Sequence, residues 1–201
     1  MTSTASRALV VVLLAVHGSS MAQSLACDDW PRQVVSADAT QIRGIYRNDA
    51  YGFSFVVPDA HTAIAEDNPF YQHGVVIPLD SKGARRLSVF AEPNSQLAKS
   101  SSELIGSYVS EAPRGRAAQN GQVRPVKFGA IDGDEVVTVY RCSGPQPRLY
   151  DITDLAIEEN TDRVFVIDLL TDDRHRVGDE ALLKRIRASW LRISAPLSEA
   201  R

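Results

Sequence analysis

The side chains with the most chemistry to offer gather around one stretch. His61 and His73 sit near the two ends of the segment 59–72, which also carries Glu66, Asp67 and Tyr71. Two imidazoles with carboxylates between them are the ingredients of a metal site, a general acid/base pair or a polar ligand pocket. The spacing does not select among these. No two histidines stand at i, i+4, and neither His-Glu-x-x-His nor a Cys/His ligand pattern occurs, so no metal or cofactor is expected. A Gly-x-Ser-x-Gly elbow and the phosphate-cradling glycine patterns are missing too. Asp132-Gly133-Asp134-Glu135 lacks the alternating ligands of a calcium loop and reads as a hairpin turn. No catalytic residue is assigned. His61, Asp67, Tyr71 and His73 stand as candidate contacts for a ligand or partner, with exposed loop histidines as the plainer alternative. A hydrolase would need His61, His73, Asp67 or Asp151 to converge only in space.

The first 22 residues read as an address. One positive charge, Arg7, precedes the apolar run 8–16 (ALVVVLLAV), and small residues follow. This is the plan of a secretory signal peptide, with Ser20 and Ala22 at −3 and −1 and cleavage expected before Gln23. Nine apolar residues rise only about 14 Å as a helix, roughly half a bilayer core, so no membrane anchor is expected. Export implies an oxidising compartment, periplasmic or secreted. There the two cysteines of the chain, Cys27 and Cys142, are expected to form one disulfide. Lipidation of Cys27 is the lesser alternative, because Ser24 stands where the lipoprotein pattern carries Leu.

Composition agrees with an ordinary globular chain: 201 residues, 44% apolar, 23% charged, net charge −3. Arg7 is the only charge lost with the leader. The mild acidity argues against nucleic acid, whose phosphates need a basic surface.

Elements to position these residues follow from periodicity. Phe53, Phe55 and Val57 alternate as one face of a strand. Residues 73–80 and 85–92 read as two more strands, with Pro78 marking an edge or a bend. Ser100 and Glu103 have capping-box spacing ahead of an apolar stripe of Leu104, Ile105, Tyr108 and Val109, which predicts a helix. Residues 123–142 read as a hairpin turning at Asp132-Gly133, and residues 148–170 as another. Leu182, Leu183, Ile186 and Trp190 form the stripe of a last helix, starting near Gly178-Asp179. Residues 23–43 are expected to form an N-terminal extension, 44–194 a single domain and 195–201 a flexible tail. Hairpin-sized connections favour an α+β fold, an antiparallel sheet of about six to seven strands covered by two or more helices.

The run Tyr46-Arg47-Asn48-Asp49-Ala50-Tyr51-Gly52-Phe53-Ser54-Phe55-Val56-Val57-Pro58 resembles the opening hairpin of PsbP-like proteins. The later helix, the hairpins and a C-terminal helix ending in Ser189-Trp190 fit the same plan over most of 44–194. The resemblance implies a sheet sandwiched by helices. It implies no activity and carries no catalytic residue, since fold and function are separable.

Taken together, the sequence points to an exported, non-enzymatic protein of the bacterial envelope. It would bind a protein partner or small ligand through loop and sheet-edge surface. A dispersed-site hydrolase and an immunity or inhibitor protein remain as alternatives.

Overall fold

In a computed structural model, residues 39–65, 73–110, 118–140, 147–158 and 162–193 are described. The expected leader, Cys27, Cys142, Asp67, Tyr71 and the tail 195–201 lie outside them.

The described residues form twelve strands and two helices. They are β1 (Thr40–Ile42), β2 (Gly44–Asn48), β3 (Phe53–Val57), β4 (Ala63–Ala65), β5 (Gly74–Pro78), β6 (Arg86–Pro93), α1 (Ser101–Ser110), β7 (Ala118–Asn120), β8 (Arg124–Phe128), β9 (Ile131–Tyr140), β10 (Leu149–Ile157), β11 (Arg163–Asp172), α2 (Arg176–Ala188) and β12 (Leu191–Arg192). The main sheet runs β1-β4-β5-β6-β11-β10-β9-β7, with β8 also on the outer side of β9. A second sheet is ordered β12-β3-β2. All pairings are antiparallel.

The α+β class holds, but the strand count exceeds expectation. The main sheet has nine strands, and the aromatic strand β3 belongs to a separate sheet. The additional strands β1, β4, β7 and β12 have two or three residues each. That is too short for a period-2 pattern to appear. Strand β1 also starts the sheet ahead of residue 44.

Register explains the layers. Leu87, Val89, Phe165, Ile167, Leu169 and Ile152 point to one side of the main sheet. There they meet Phe53, Phe55 and Val57 of the small sheet and Leu182, Leu183 and Ile186 of α2. Val136, Leu155, Val164 and Val166 point to the other side and meet Leu104 and Ile105 of α1. Leu155-Ala156-Ile157, three apolar neighbours, thus feed both layers, because both faces of β10 are covered.

Caps and turns follow local chemistry with two revisions. Ser100 Oγ accepts the Glu103 N–H as expected at 3.3 Å, but the Glu103 carboxylate reaches the N–H of Lys99. The β8–β9 hairpin turns at Gly129-Ala130 instead of Asp132-Gly133. Gly129 has a φ of +56°, which glycine adopts without penalty. Gly133 lies inside β9, where a Cβ would stand 2.5 Å from the Leu155 carbonyl oxygen, so its role is close strand packing.

Trp190 closes the apolar layer. Its ring stacks on Phe53 and packs edge-on against Phe128 and Phe165 at 5.2 and 5.3 Å. Ser189 Oγ accepts the Val56 N–H, and Ile193 N–H donates to Gly52 O, so the end of α2 and β12 are tied along β3.

Candidate functional site

Of the four expected contact residues, His61 and His73 are described, and the structure separates them. Ile64 of β4 pairs with Val76 of β5 in antiparallel register. His61 therefore sits where β5 ends, and His73 where β5 begins. About six extended residues, roughly 20 Å, lie between the two levels. Among the described residues no group of three or more His, Cys, Asp or Glu is placed to hold a metal ion.

Asp151 does not join His73 either. The His73 carbonyl accepts the Ala91 N–H, and Ala91 shares a row with Phe165 and Ala156. Asp151 lies five residues further along β10, about 17 Å along the strand alone. The dispersed His/Asp site is thus not assembled from these two residues.

What His73 does have is a structured corner. Its ring packs on Tyr51, centroids 4.3 Å apart. Asn48 donates to the His73 carbonyl at 2.9 Å and accepts the Tyr51 N–H at 3.0 Å. Arg163 donates to the Tyr51 carbonyl at 3.0 Å. The turn that follows Asn48 therefore stitches the small sheet to β5 and β11.

Two carboxyl clusters lie on opposite faces of β10. Asp151 and Asp154 are an odd number of residues apart and point to opposite sides. Asp151 is a diagonal neighbour of Asp168 on β11, since it pairs with Leu170 while Asp168 pairs with Thr153. Burial pushes the Asp151 carboxyl well above its ordinary range, and the Asp168 charge adds to the effect against Arg86 and Tyr140. Asp151 Oδ1 has no hydrogen-bond partner among the described residues. Thr153 donates to Asp168 at 3.2 Å.

Asp154 is fully buried under α2. Burial also raises its carboxyl well above the usual range; Arg187 opposes this and Glu135 adds to it. Arg187 Nη1 lies 3.2 Å from Asp154 and 3.3 Å from Glu135, and Arg124 pairs with Glu135 from β8. One guanidinium from α2 thus reaches two acids on the sheet. Sequence reading had not singled these groups out as a cluster. The signal was present as charges at strand-interior positions in Leu149–Ile157, LYDITDLAI.

Two surface features flank this core. An open groove of about 380 Å³ runs between β8 and α2, lined by Pro125, Val126, Lys127, Lys184, Arg187 and Ala188. On the small sheet, the outward side carries Ile45, Val56 and Leu191, which are 70%, 44% and 64% exposed. Ile45 stands directly opposite Val56, and Leu191 is opposite Ser54, one diagonal step away.

No family model and no curated protein matches the chain. Solved structures do. The solution structure of cyanobacterial PsbP (CyanoP) from Synechocystis matches with a TM-score of 0.54 at 14% identity, covering 81% of this chain and 97% of that one. LpqN of Mycobacterium tuberculosis, described as involved in cell envelope biogenesis, matches with a TM-score of 0.48 at 12% identity, over 77% of this chain and 90% of that one. A Bacteroides thetaiotaomicron protein matches with 0.47 at 12%, over 75% and 49%. The likeness to cyanobacterial PsbP shows that the chain has the PsbP-like fold.

Proposed function

We propose that this is an exported, non-enzymatic binding protein of the bacterial envelope that docks a protein partner on its small sheet. The observation that carries the reading is the outward apolar side of β12-β3-β2. Ile45, Val56 and Leu191 are adjacent by register and exposed, with the Arg47–Asp49 ion pair at the rim. An apolar centre within a polar rim is the anatomy of a protein interface. The face is an open sheet surface, and a small ligand would instead be enclosed in a concavity. The corner of His73 and Tyr51 lies at the hairpin end of the same sheet. It extends the proposed surface along that end.

The leader motif of residues 1–22 and the cysteine pair support the envelope setting, and no helix among the described residues is long and apolar enough to cross a membrane. A photo-crosslinker at residue 45, in cells producing the protein, tests the reading. One defined envelope protein should be captured, capture should fall at least tenfold with Leu191→Asp, and it should persist with Val177→Asp on α2. Capture only of a second copy of the chain, or capture indifferent to Leu191→Asp, would overturn it.

A further inference from the structure

Part of the α1 side of the main sheet is buried beyond the reach of α1. Side chains alternate along each strand. Ala63, Val75, Leu87, Leu169 and Ile152 face α2 and the small sheet, so Ile64, Val76, Ser88, Leu170 and Asp151 face the α1 side. α1 packs there on β9 and β10, its Leu104 and Ile105 meeting Val136, Leu155, Val164 and Val166. Ile64, Val76 and Leu170 are buried as well, yet they belong to neither apolar layer. Ser88, beside Val76, is 0% exposed, and its Oγ has no hydrogen-bond partner among the described residues. Asp151 Oδ1 is a second buried atom without one. Such a face needs a cover that offers both apolar contact and hydrogen bonds.

These positions lie on a diagonal. Ile64, Val76 and Ser88 share one row across β4, β5 and β6. Leu170 of β11 and Asp151 of β10 share the next row. Tyr140, also buried, follows one row further on β9. The line starts beside β1, where Gln41 pairs with Ile64, and ends two residues before Cys142. It thus runs from the point where the N-terminal segment joins the sheet to the cysteine expected to bond Cys27.

We infer that residues 23–38 form a strap laid along this diagonal, with Trp30, Val34 and Val35 covering Leu170, Val76 and Ile64 and with polar groups of the strap meeting Ser88 and Asp151. Thr40 and Tyr140 are separated by six strand spacings, about 29 Å, and by about 17 Å along the strands, hence by about 34 Å. The thirteen residues from Cys27 to Thr40 span up to about 43 Å, so the strap reaches with slack. Spaced evenly over that length, Val34 comes over β6, and Trp30 between β11 and β10. The opposite side of the sheet is taken by α2 and the small sheet. The segment 66–72 joins the neighbouring strands β4 and β5 and accounts for no cover at Leu170 or Asp151. This assignment is independent of the partner surface on the small sheet.

Photo-crosslinking residues placed singly at 30, 34 and 71 of the purified protein, with the joined peptides read by mass spectrometry, test it. Within one chain, position 34 should join the peptide carrying Ser88, and position 30 the peptide carrying Leu170 or Asp151. Capture of the Ser88 peptide from position 71 and not from 34 would overturn the inference in favour of the segment 66–72. Capture from 30 and 34 only of α2, of the small sheet or of a second copy, or no capture from either, would overturn it as well. A second measurement needs no substitution. Amide hydrogens of residues 32–36 should exchange with deuterium at least tenfold more slowly in the protein than in a free peptide of the same sequence, and exchange at the free-peptide rate would also overturn the strap.

Discussion

Trp190 lies flat against Phe53, with ring centroids 4.7 Å apart and planes 1° from parallel. The two residues come from the two ends of the described domain, so one stacking contact joins the opening hairpin to the last helix. Trp190→Ala should therefore destabilise the protein by about 3–5 kcal/mol, the usual range for emptying such a site. Trp190→Phe should cost less. Urea denaturation followed by circular dichroism measures both.

Glycines separate packing from propensity. A Cβ at Gly129 would stand 2.2 Å from the Trp190 carbonyl oxygen, at a φ of +56°. Gly106, within α1, has nothing within 4 Å of the same position. Gly129→Ala should lower the melting temperature. Gly106→Ala should raise stability by about 1 kcal/mol, the helix propensity difference. Thermal melts of the two variants should move in opposite directions.

The buried carboxyls set a pH dependence. Asp151 and Asp154 have folded-state pKa values raised by burial, so the native state holds more protons than the unfolded chain. Their contribution is fully present below the unfolded Asp value, about 3.9. It is lost as pH rises through the raised folded values. Asp80 runs the other way. Burial would raise it, but the N–H groups of Arg85, Lys82 and Ala84 and the Arg85 charge hold it low. Asp173 is held low by the Tyr150 hydroxyl at 2.5 Å. The stability of this second pair is present above the unfolded value and lost on further acidification. Stability should thus rise on going from neutral to mildly acidic solution and fall again below about pH 4. Asp154→Asn and Asp151→Asn should each flatten the first limb, which melting temperatures between pH 3 and 8 would show.

Intact mass of the protein recovered from the envelope checks the leader and thiol expectations together. A chain beginning at Gln23 and two hydrogens lighter than its reduced form is expected. Reduction should then lower the melting temperature, since a bond between Cys27 and Cys142 would close a loop of more than a hundred residues. A lipid-sized increment on Cys27 would replace this reading.

Much of the fold was legible because its longer elements obey their periods. The segments assigned to β5, β6, β10, β11 and α1 were found near their observed bounds, and α2 begins two residues before the expected start at Gly178. What escaped were features that local pattern does not encode. Asp132-Gly133 has the chemistry of a turn, yet Gly133 is needed where β9 passes close to β10, and Gly129 supplies the turn. Pro78 suggested an edge or a bend, and of the two the edge is set aside, because β5 has neighbours on both sides. The short partner β4 ends near that level, so the missing N–H disrupts little. The candidate site was less legible. His61 and His73 are near in sequence, but an antiparallel pair carries them to opposite ends. Asp154, Glu135 and Arg187 are scattered in sequence and meet only because register and the α2 docking angle bring them together.

Val56 and Ser189 are bonded across 133 positions, and β12 completes the small sheet only after α2 has been laid down. A chain emerging from a ribosome, or threaded N-terminus first through a translocation channel, cannot seal its aromatic centre until residues 189–193 are free. Such distant closure is slow by topology. In an exported chain it would keep the polypeptide pliant during transit and postpone commitment to the native state until delivery.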